Sequence, residues 1–118
     1  TMETNNKIIA EFMGFEIKHK INYVPPSLPN FMKKAEHLKV DKSENLPFHN
    51  DWNWLMEVVE KIESIGFTFE TKKNWARITR KGENIILRWE EDKTKIEAVY
   101  NACVEFIKWY NENSAKEK

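Results

Sequence analysis

The stretch that decides the fold runs from residue 52 to residue 110 and reads WNWLMEVVEKIESIGFTFETKKNWARITRKGENIILRWEEDKTKIEAVYNACVEFIKWY. Its two ends repeat apolar residues at helical spacing, and its middle holds three short runs with the alternation typical of strands. Gly66 ends the first helical run, and Lys81-Gly82 suits a turn in the middle part. Short turns join neighbouring strands in opposite directions, so the sequence predicts an antiparallel meander between two helices.

Both helices carry start signals and an apolar stripe. Asn50 or Asp51 can cap the first helix, and Thr94 with Glu97 forms the capping-box pattern at the start of the second. The predicted strands cover residues 67–71, 74–80 and 84–90. The predicted inward residues are Leu55, Val58, Val59, Ile62 and Ile65 of the first helix and Ile96, Val99, Tyr100, Cys103, Ile107 and Tyr110 of the second.

The sequence signals for secondary structure are weaker in the N-terminal part. Residues 5–13 predict a short helix that Asn5 or Asn6 could cap, and residues 16–23 alternate as one half-buried strand. A Pro/Lys-rich insertion spans about 24–49, and residues 114–118 form a polar tail that is expected to fray. We therefore predict a single α+β domain over residues 2–113. It has a three- to four-stranded antiparallel meander, two long helices and a short N-terminal helix.

Composition is that of a soluble globular domain, with 118 residues, 41% hydrophobic and 32% charged. The formal net charge is zero, which argues against a protein whose main work is coating nucleic acid. Residues 66–90 are nevertheless mildly basic, which leaves a contact with RNA open, and residues 50–65 are acidic. The single cysteine excludes an internal disulfide, and no apolar run reaches the roughly 18 residues of a membrane span. We expect a protein of a reducing cytosol.

Side chains suited to catalysis do not form a known pattern. The three histidines, His19, His37 and His49, lack metal-ligand spacing, and the three glycines do not form a phosphate-binding loop. His49 and Asp51 are the nearest to a catalytic or ligand pair, but a hydrogen-bonded loop histidine is favoured. Cys103 falls within a helix, where a thiolate gains nothing from the helix N-terminus. We expect no catalytic residues, no metal and no cofactor, hence no enzyme.

Tryptophan and arginine side chains are the candidates for partner binding. Trp52 and Trp54 diverge by about 200° on a helix, so both rings cannot enter one core. One alternative is that they provide an aromatic platform for a partner. The other, which we favour, is that residues 24–48 cover both rings.

In the meander the candidates are Trp75, Arg77, Arg80 and Arg88. Arg77 and Arg88 could be neighbours across two strands and bind phosphate or an acidic protein surface. The favoured alternative places arginine stems under a helix, with their heads reaching acids such as Glu70 and Glu90.

Three segments, NKIIAEFMG (6–14), HNDWNWLMEVVEKIESIG (49–66) and KIEAVYNACVEFIKWYN (95–111), resemble small proteins of bacteriophages and prophages, particularly of Bacteroidetes. They are similar to the phage ABA-sandwich group. The resemblance implies an αβα-layered domain of phage origin and provides no functional residues. Residues 15–47 depart from it.

A phage origin and the lack of catalytic groups together favour a binding protein. We expect an inhibitor of a bacterial defence effector, such as a CRISPR nuclease or its guide ribonucleoprotein, acting in the cytosol of the host. The alternatives are a sponge for a phosphorylated nucleotide immune signal and a nucleic-acid-binding or virion accessory protein. The oligomeric state stays open.

Overall fold

The computed structural model describes residues 2–18, 22–24, 46–80, 82 and 86–116 of the chain. The α+β class is confirmed. In chain order the elements are helix α1 (Met2–Phe12), strands β1 (Glu16–Lys18) and β2 (Asn22–Val24), a 3-10 helix (Pro47–His49), helix α2 (Trp52–Ser64), strands β3 (Phe67–Lys72), β4 (Trp75–Arg80) and β5 (Ile86–Glu91), and helix α3 (Lys95–Lys116).

Strands β3, β4 and β5 form the predicted antiparallel meander, in that order. Ala76 and Ile78 of β4 are fully buried, and Phe69 pairs with Ile78, so these residues lie on the core face of the sheet. Helix α3 packs along this face, where the Phe67 and Phe106 ring centroids are 4.8 Å apart. Helices α2 and α3 contact the sheet, and α1 packs on α3. The opposite face of the sheet carries exposed and half-buried side chains.

Helix α3 supplies the largest part of the core. Val99, Cys103 and Ile107 are at most 1% exposed, as the stripe predicts. Thr94 caps the helix as predicted, because the Glu97 amide donates to Thr94 Oγ1. The Glu97 carboxylate accepts the Thr94 hydroxyl rather than the Thr94 amide, so the second bond of the capping box takes a different form. The helix continues to Lys116, into the predicted polar tail of residues 114–118, because each added residue gains a hydrogen bond once packing has nucleated the helix.

Helix α2 begins at the predicted cap, since Asp51 Oδ1 accepts from the Asn53 amide at 2.9 Å. Leu55, Val58, Val59 and Ile62 are buried as expected. The assignment of Ile65 to the stripe is wrong. The helix ends at Ser64, so its periodicity no longer aims the Ile65 side chain inward, and that side chain is 36% exposed.

Two predictions about the N-terminal part are also wrong. Helix α1 begins at Met2, so Asn5 and Asn6 lie inside it and neither is its cap. Strands β1 and β2 pair antiparallel with Glu16 opposite Val24, so residues 16–23 are not one strand. Alternation cannot distinguish one strand from two short arms, because both send successive side chains to opposite faces.

Residues 46–49, the end of the predicted insertion, belong to the core. Leu46 is 1% exposed and Phe48 is fully buried. The rest of the insertion, residues 25–45, lies outside the described residues, as do His19 and His37. Within the part of the chain that the structure describes, the helices are too short or too polar to cross a membrane.

Candidate functional site

The exposed face of the sheet has a pair of tryptophans at its centre. The Trp75 and Trp89 rings stack with centroids 4.8 Å apart and planes 17° apart. They belong to adjacent strands and are diagonal neighbours, since Trp75 pairs with Glu91 and Arg77 pairs with Trp89. Diagonal positions are within reach of aromatic side chains. Trp89 remains 47% exposed, so the stack offers apolar surface to solvent.

Arg77 lies beside this stack. Its Nη2 donates to Glu70 Oε2 at 2.8 Å, and its guanidinium carbon is 5.8 Å from the Trp75 ring centroid. Both side chains of the ion pair are more than a third exposed, so the pair contributes at most about 1 kcal/mol to stability. Arg77 Nε is buried and has no hydrogen-bond partner among the described residues. The pair therefore orients a guanidinium that keeps one unused donor.

We call this surface the outer face. Its charges balance, because Lys72 and Arg77 stand against Glu70 and Glu91. The register places these described residues on it: Thr68, Glu70, Lys72, Trp75, Arg77, Thr79, Trp89 and Glu91.

Only two of the four predicted meander residues share the outer face. Arg80 pairs with Phe67 and Arg88 pairs with Ile78, so both hold positions of the opposite, core face by register. Arg80 lies at the end of β4, where it is exposed. The prediction that Arg77 and Arg88 are neighbours on one face is wrong. The favoured pairing of an arginine head with Glu70 is confirmed for Arg77, although no described helix covers it.

The register of β5 against β4 explains why Arg88 does not lie on the outer face and why Trp89 does. A two-residue turn at Lys81-Gly82 would set Arg88 opposite Trp75. Instead Arg77 pairs with Trp89, and the ladder shifts by a bulge between Ile78 and Thr79. A register shift by an odd number of residues exchanges the two faces of a strand. Trp89 therefore lies on the outer face, where the sequence predicts Arg88.

The Trp52 and Trp54 rings diverge as their spacing requires. Trp54 is 6% exposed and packs against Phe15 and Phe48, with centroids 6.1 and 5.4 Å away. It is a core residue and is not available to a partner. Trp52 is 40% exposed, as is Met56 one turn later at 42%, so the expectation that both tryptophans are covered is wrong for Trp52.

A cavity of about 660 Å³ lies on another part of the molecule, and we call it the polar cavity because most of its described lining residues are of polar type. It opens between the start of α1, the 3-10 helix and the first turns of α3. The described lining residues are Asn5, His49, Asn50, Thr94, Ile96, Glu97, Tyr100 and Asn101.

One of the lining residues, Tyr100, belongs to a buried hydrogen-bond network. The Tyr100 hydroxyl donates to Asn6 Oδ1 at 2.7 Å, and Asn6 Nδ2 donates to the Leu46 carbonyl at 3.1 Å. The His49 ring meets the Tyr100 ring edge to face, with centroids 6.3 Å apart. The expectation of a hydrogen-bonded histidine is wrong for one nitrogen, because His49 Nδ1 is buried and has no partner among the described residues.

Burial raises the pKa of Tyr100 from its ordinary value of 10.0 to about 12. The folded protein therefore keeps this proton between pH 10 and pH 12, where the unfolded chain loses it, so folding is stabilised fully below pH 10 and less as pH rises. We expect the Tyr100 contribution to the free energy of unfolding to fall by about 2–3 kcal/mol over that window. Urea unfolding of the wild type and of Tyr100→Phe at pH 8, 10 and 11.5 would measure it. Parallel decreases in the two proteins would contradict the assignment.

Groups that could carry catalysis are not assembled in the described part of the chain. Cys103 is fully buried, and this burial raises the pKa of its thiol, which disfavours the reactive thiolate. No group of three or more His, Cys, Asp or Glu residues is placed to hold a metal ion within the described ranges. That the protein is not an enzyme stays a prediction.

In comparisons with known proteins, no family model matches the chain, and no curated protein or solved structure is found to match it. The phage resemblance of the three sequence segments therefore stays a prediction. The outer face and the polar cavity are the two surfaces on which a functional argument can be built.

Proposed function

We propose that this protein acts by binding a protein partner through the outer face. The observation that carries the proposal is the exposed stack of Trp75 on Trp89 beside the oriented Arg77 guanidinium. Trp and Arg are the residues most often found at the energetic centres of protein interfaces. The stack holds both rings in place before binding, so less side-chain freedom is lost when a partner covers them.

Charge supports a protein partner over a nucleic acid. Lys72 and Arg77 are matched by Glu70 and Glu91 on the same face, whereas a phosphate backbone needs a surplus of cations. Arg80 and Arg88, which would have provided that surplus, belong to the other face by register. A contact with RNA through the meander is therefore less well supported than a contact with protein.

The partner that we propose is a bacterial defence effector, such as a CRISPR nuclease or its guide complex, inhibited by this protein in the host cytosol. The support is the resemblance to phage proteins together with a surface suited to docking rather than turnover. The alternative of a sponge for a phosphorylated nucleotide has less support, because none of the described lining residues of the polar cavity is Lys or Arg.

Trp89→Ala is the sharpest test of this interface. We expect it to weaken partner binding by about 2 kcal/mol or more, because it removes half of the exposed stack. Its effect on stability should be small, since the Trp89 side chain is 47% exposed. Affinity would be measured for a partner captured from bacteria that carry defence systems, alongside phage infection of those bacteria.

Trp52→Ala is the matched control, because Trp52 is a comparably exposed tryptophan on helix α2. We expect it to bind as the wild type does. If Trp89→Ala kept full affinity while Trp52→Ala lost it, the interface would lie on α2 and not on the outer face. If the folded wild type captured no host protein and left infection unchanged, the inhibitor proposal would be abandoned for an accessory role.

A further inference from the structure

We propose that the polar cavity is a binding site for a nucleobase or nucleoside without a phosphate group. Its volume of about 660 Å³ lies in the range of roughly 300–1,000 Å³ that is usual for small-molecule sites. The inference is independent of the proposed protein interface, which uses other residues on another surface.

Two aromatic rings shape the cavity for a flat ligand. His49 and Tyr100 are held edge to face at 6.3 Å, and Tyr100 is tied from behind by its hydroxyl bond to Asn6. That bond occupies the hydroxyl, so Tyr100 presents its ring rather than a polar group. A planar heterocycle can pack on such a ring with little loss of freedom in the protein, because the ring is already fixed.

Hydrogen-bonding groups beside these rings match the edge of a base. His49 Nδ1 is buried and has no partner among the described residues, which costs free energy that a ligand atom bonded to it would recover. Asn101 Nδ2 donates to Asp92 Oδ2, which leaves the Asn101 carbonyl as an acceptor. Glu97 accepts the Thr94 hydroxyl with one oxygen, so its second oxygen can accept from a ligand. Carboxylates and side-chain amides are the groups that proteins use to bind the amino groups of bases.

The charge of the cavity lining determines which ligands can bind. The described lining residues include one acid, Glu97, and no Lys or Arg. A phosphate placed here would meet the Glu97 carboxylate, and the described lining residues offer no Lys or Arg to balance it, so a nucleoside should bind more tightly than its 5′-monophosphate.

Titration of the full chain with adenosine, guanosine, cytidine and uridine, and then with their 5′-monophosphates, tests the proposal by chemical-shift changes and calorimetry. We expect at least one nucleoside to bind with a Kd of about 1 mM or lower, and its monophosphate about tenfold more weakly. His49→Phe keeps a ring against Tyr100 but removes the unpaired nitrogen, and we expect it to weaken nucleoside binding about tenfold.

Two further variants separate the site from its surroundings. Glu97→Gln keeps the backbone amide that donates to Thr94 Oγ1 and a side-chain oxygen that can accept the Thr94 hydroxyl, but removes the charge. It should narrow the difference in affinity between a nucleoside and its monophosphate. A purely structural role of Glu97 would not produce that change. Trp89→Ala should bind nucleosides as the wild type does. The proposal is overturned if no nucleoside binds at concentrations of about 10 mM, if the monophosphates bind more tightly, if folded His49→Phe binds normally, or if Trp89→Ala loses nucleoside binding.

Discussion

Phe106→Ala is expected to lower the free energy of unfolding by about 3–5 kcal/mol. The Phe106 side chain is fully buried, and its ring contacts Phe67 of β3 at 4.8 Å between centroids and Phe12 of α1 at 6.5 Å. It also stacks on Tyr110 at 5.8 Å. One ring thus joins α1, the sheet and α3, so its removal leaves a cavity that no single element can close.

Urea unfolding followed by circular dichroism would measure the loss. The control is Lys108→Ala on the exposed side of the same helix, where the Lys108 ammonium is 3.5 Å from Glu105 in an exposed pair. We expect that control to change stability by no more than about 0.5 kcal/mol. A Phe106→Ala protein within about 1 kcal/mol of the wild type would mean that α3 does not pack on the sheet through this ring.

Asn6→Ala is expected to cost about 2–5 kcal/mol, although Ala is a better helix former than Asn. The Asn6 side chain is fully buried and holds two groups distant in sequence, the Leu46 carbonyl and the Tyr100 hydroxyl. Without the amide, both groups lose a partner inside the protein, and each unsatisfied group costs about 1–3 kcal/mol.

Asn5→Ala is the matched control, because Asn5 precedes Asn6 in the same helix and is only partly buried. We expect it to be neutral within about 0.5 kcal/mol, since it lies on a less buried position. Tyr100→Phe removes one of the two bonds and should cost less than Asn6→Ala. Equal stabilities of the Asn5→Ala and Asn6→Ala proteins would show that the buried bridge contributes little.

Helices α2 and α3 could be predicted from their sequences because their signals are local. The caps at Asp51 and Thr94 are bonds between residues two or three apart, and the apolar stripes follow the 3.6-residue period. The antiparallel order of β3, β4 and β5 also follows from short connections. These features need only residues that are near one another in the chain.

The candidate binding face could be predicted only in part. Trp75 and Arg77 were found because aromatic and guanidinium groups alternate with the buried Ala76 and Ile78. Trp89 was missed, since its face depends on a register that includes a bulge and cannot be counted from the turn residues. A shift of one residue moves every side chain of a strand to the other face of the sheet.

By itself, the sequence determined helices α2 and α3, the three strand-like runs between them and their antiparallel direction, because each follows from hydrogen bonds and periodicity within a few residues. Tertiary structure alone decided which tryptophan is buried, which strand faces meet and how the polar cavity is built. Asn6 and Tyr100 are 94 positions apart, and His49 lies against Tyr100 from a third segment. Contacts over such separations arise from packing of the whole core, so no local pattern encodes them.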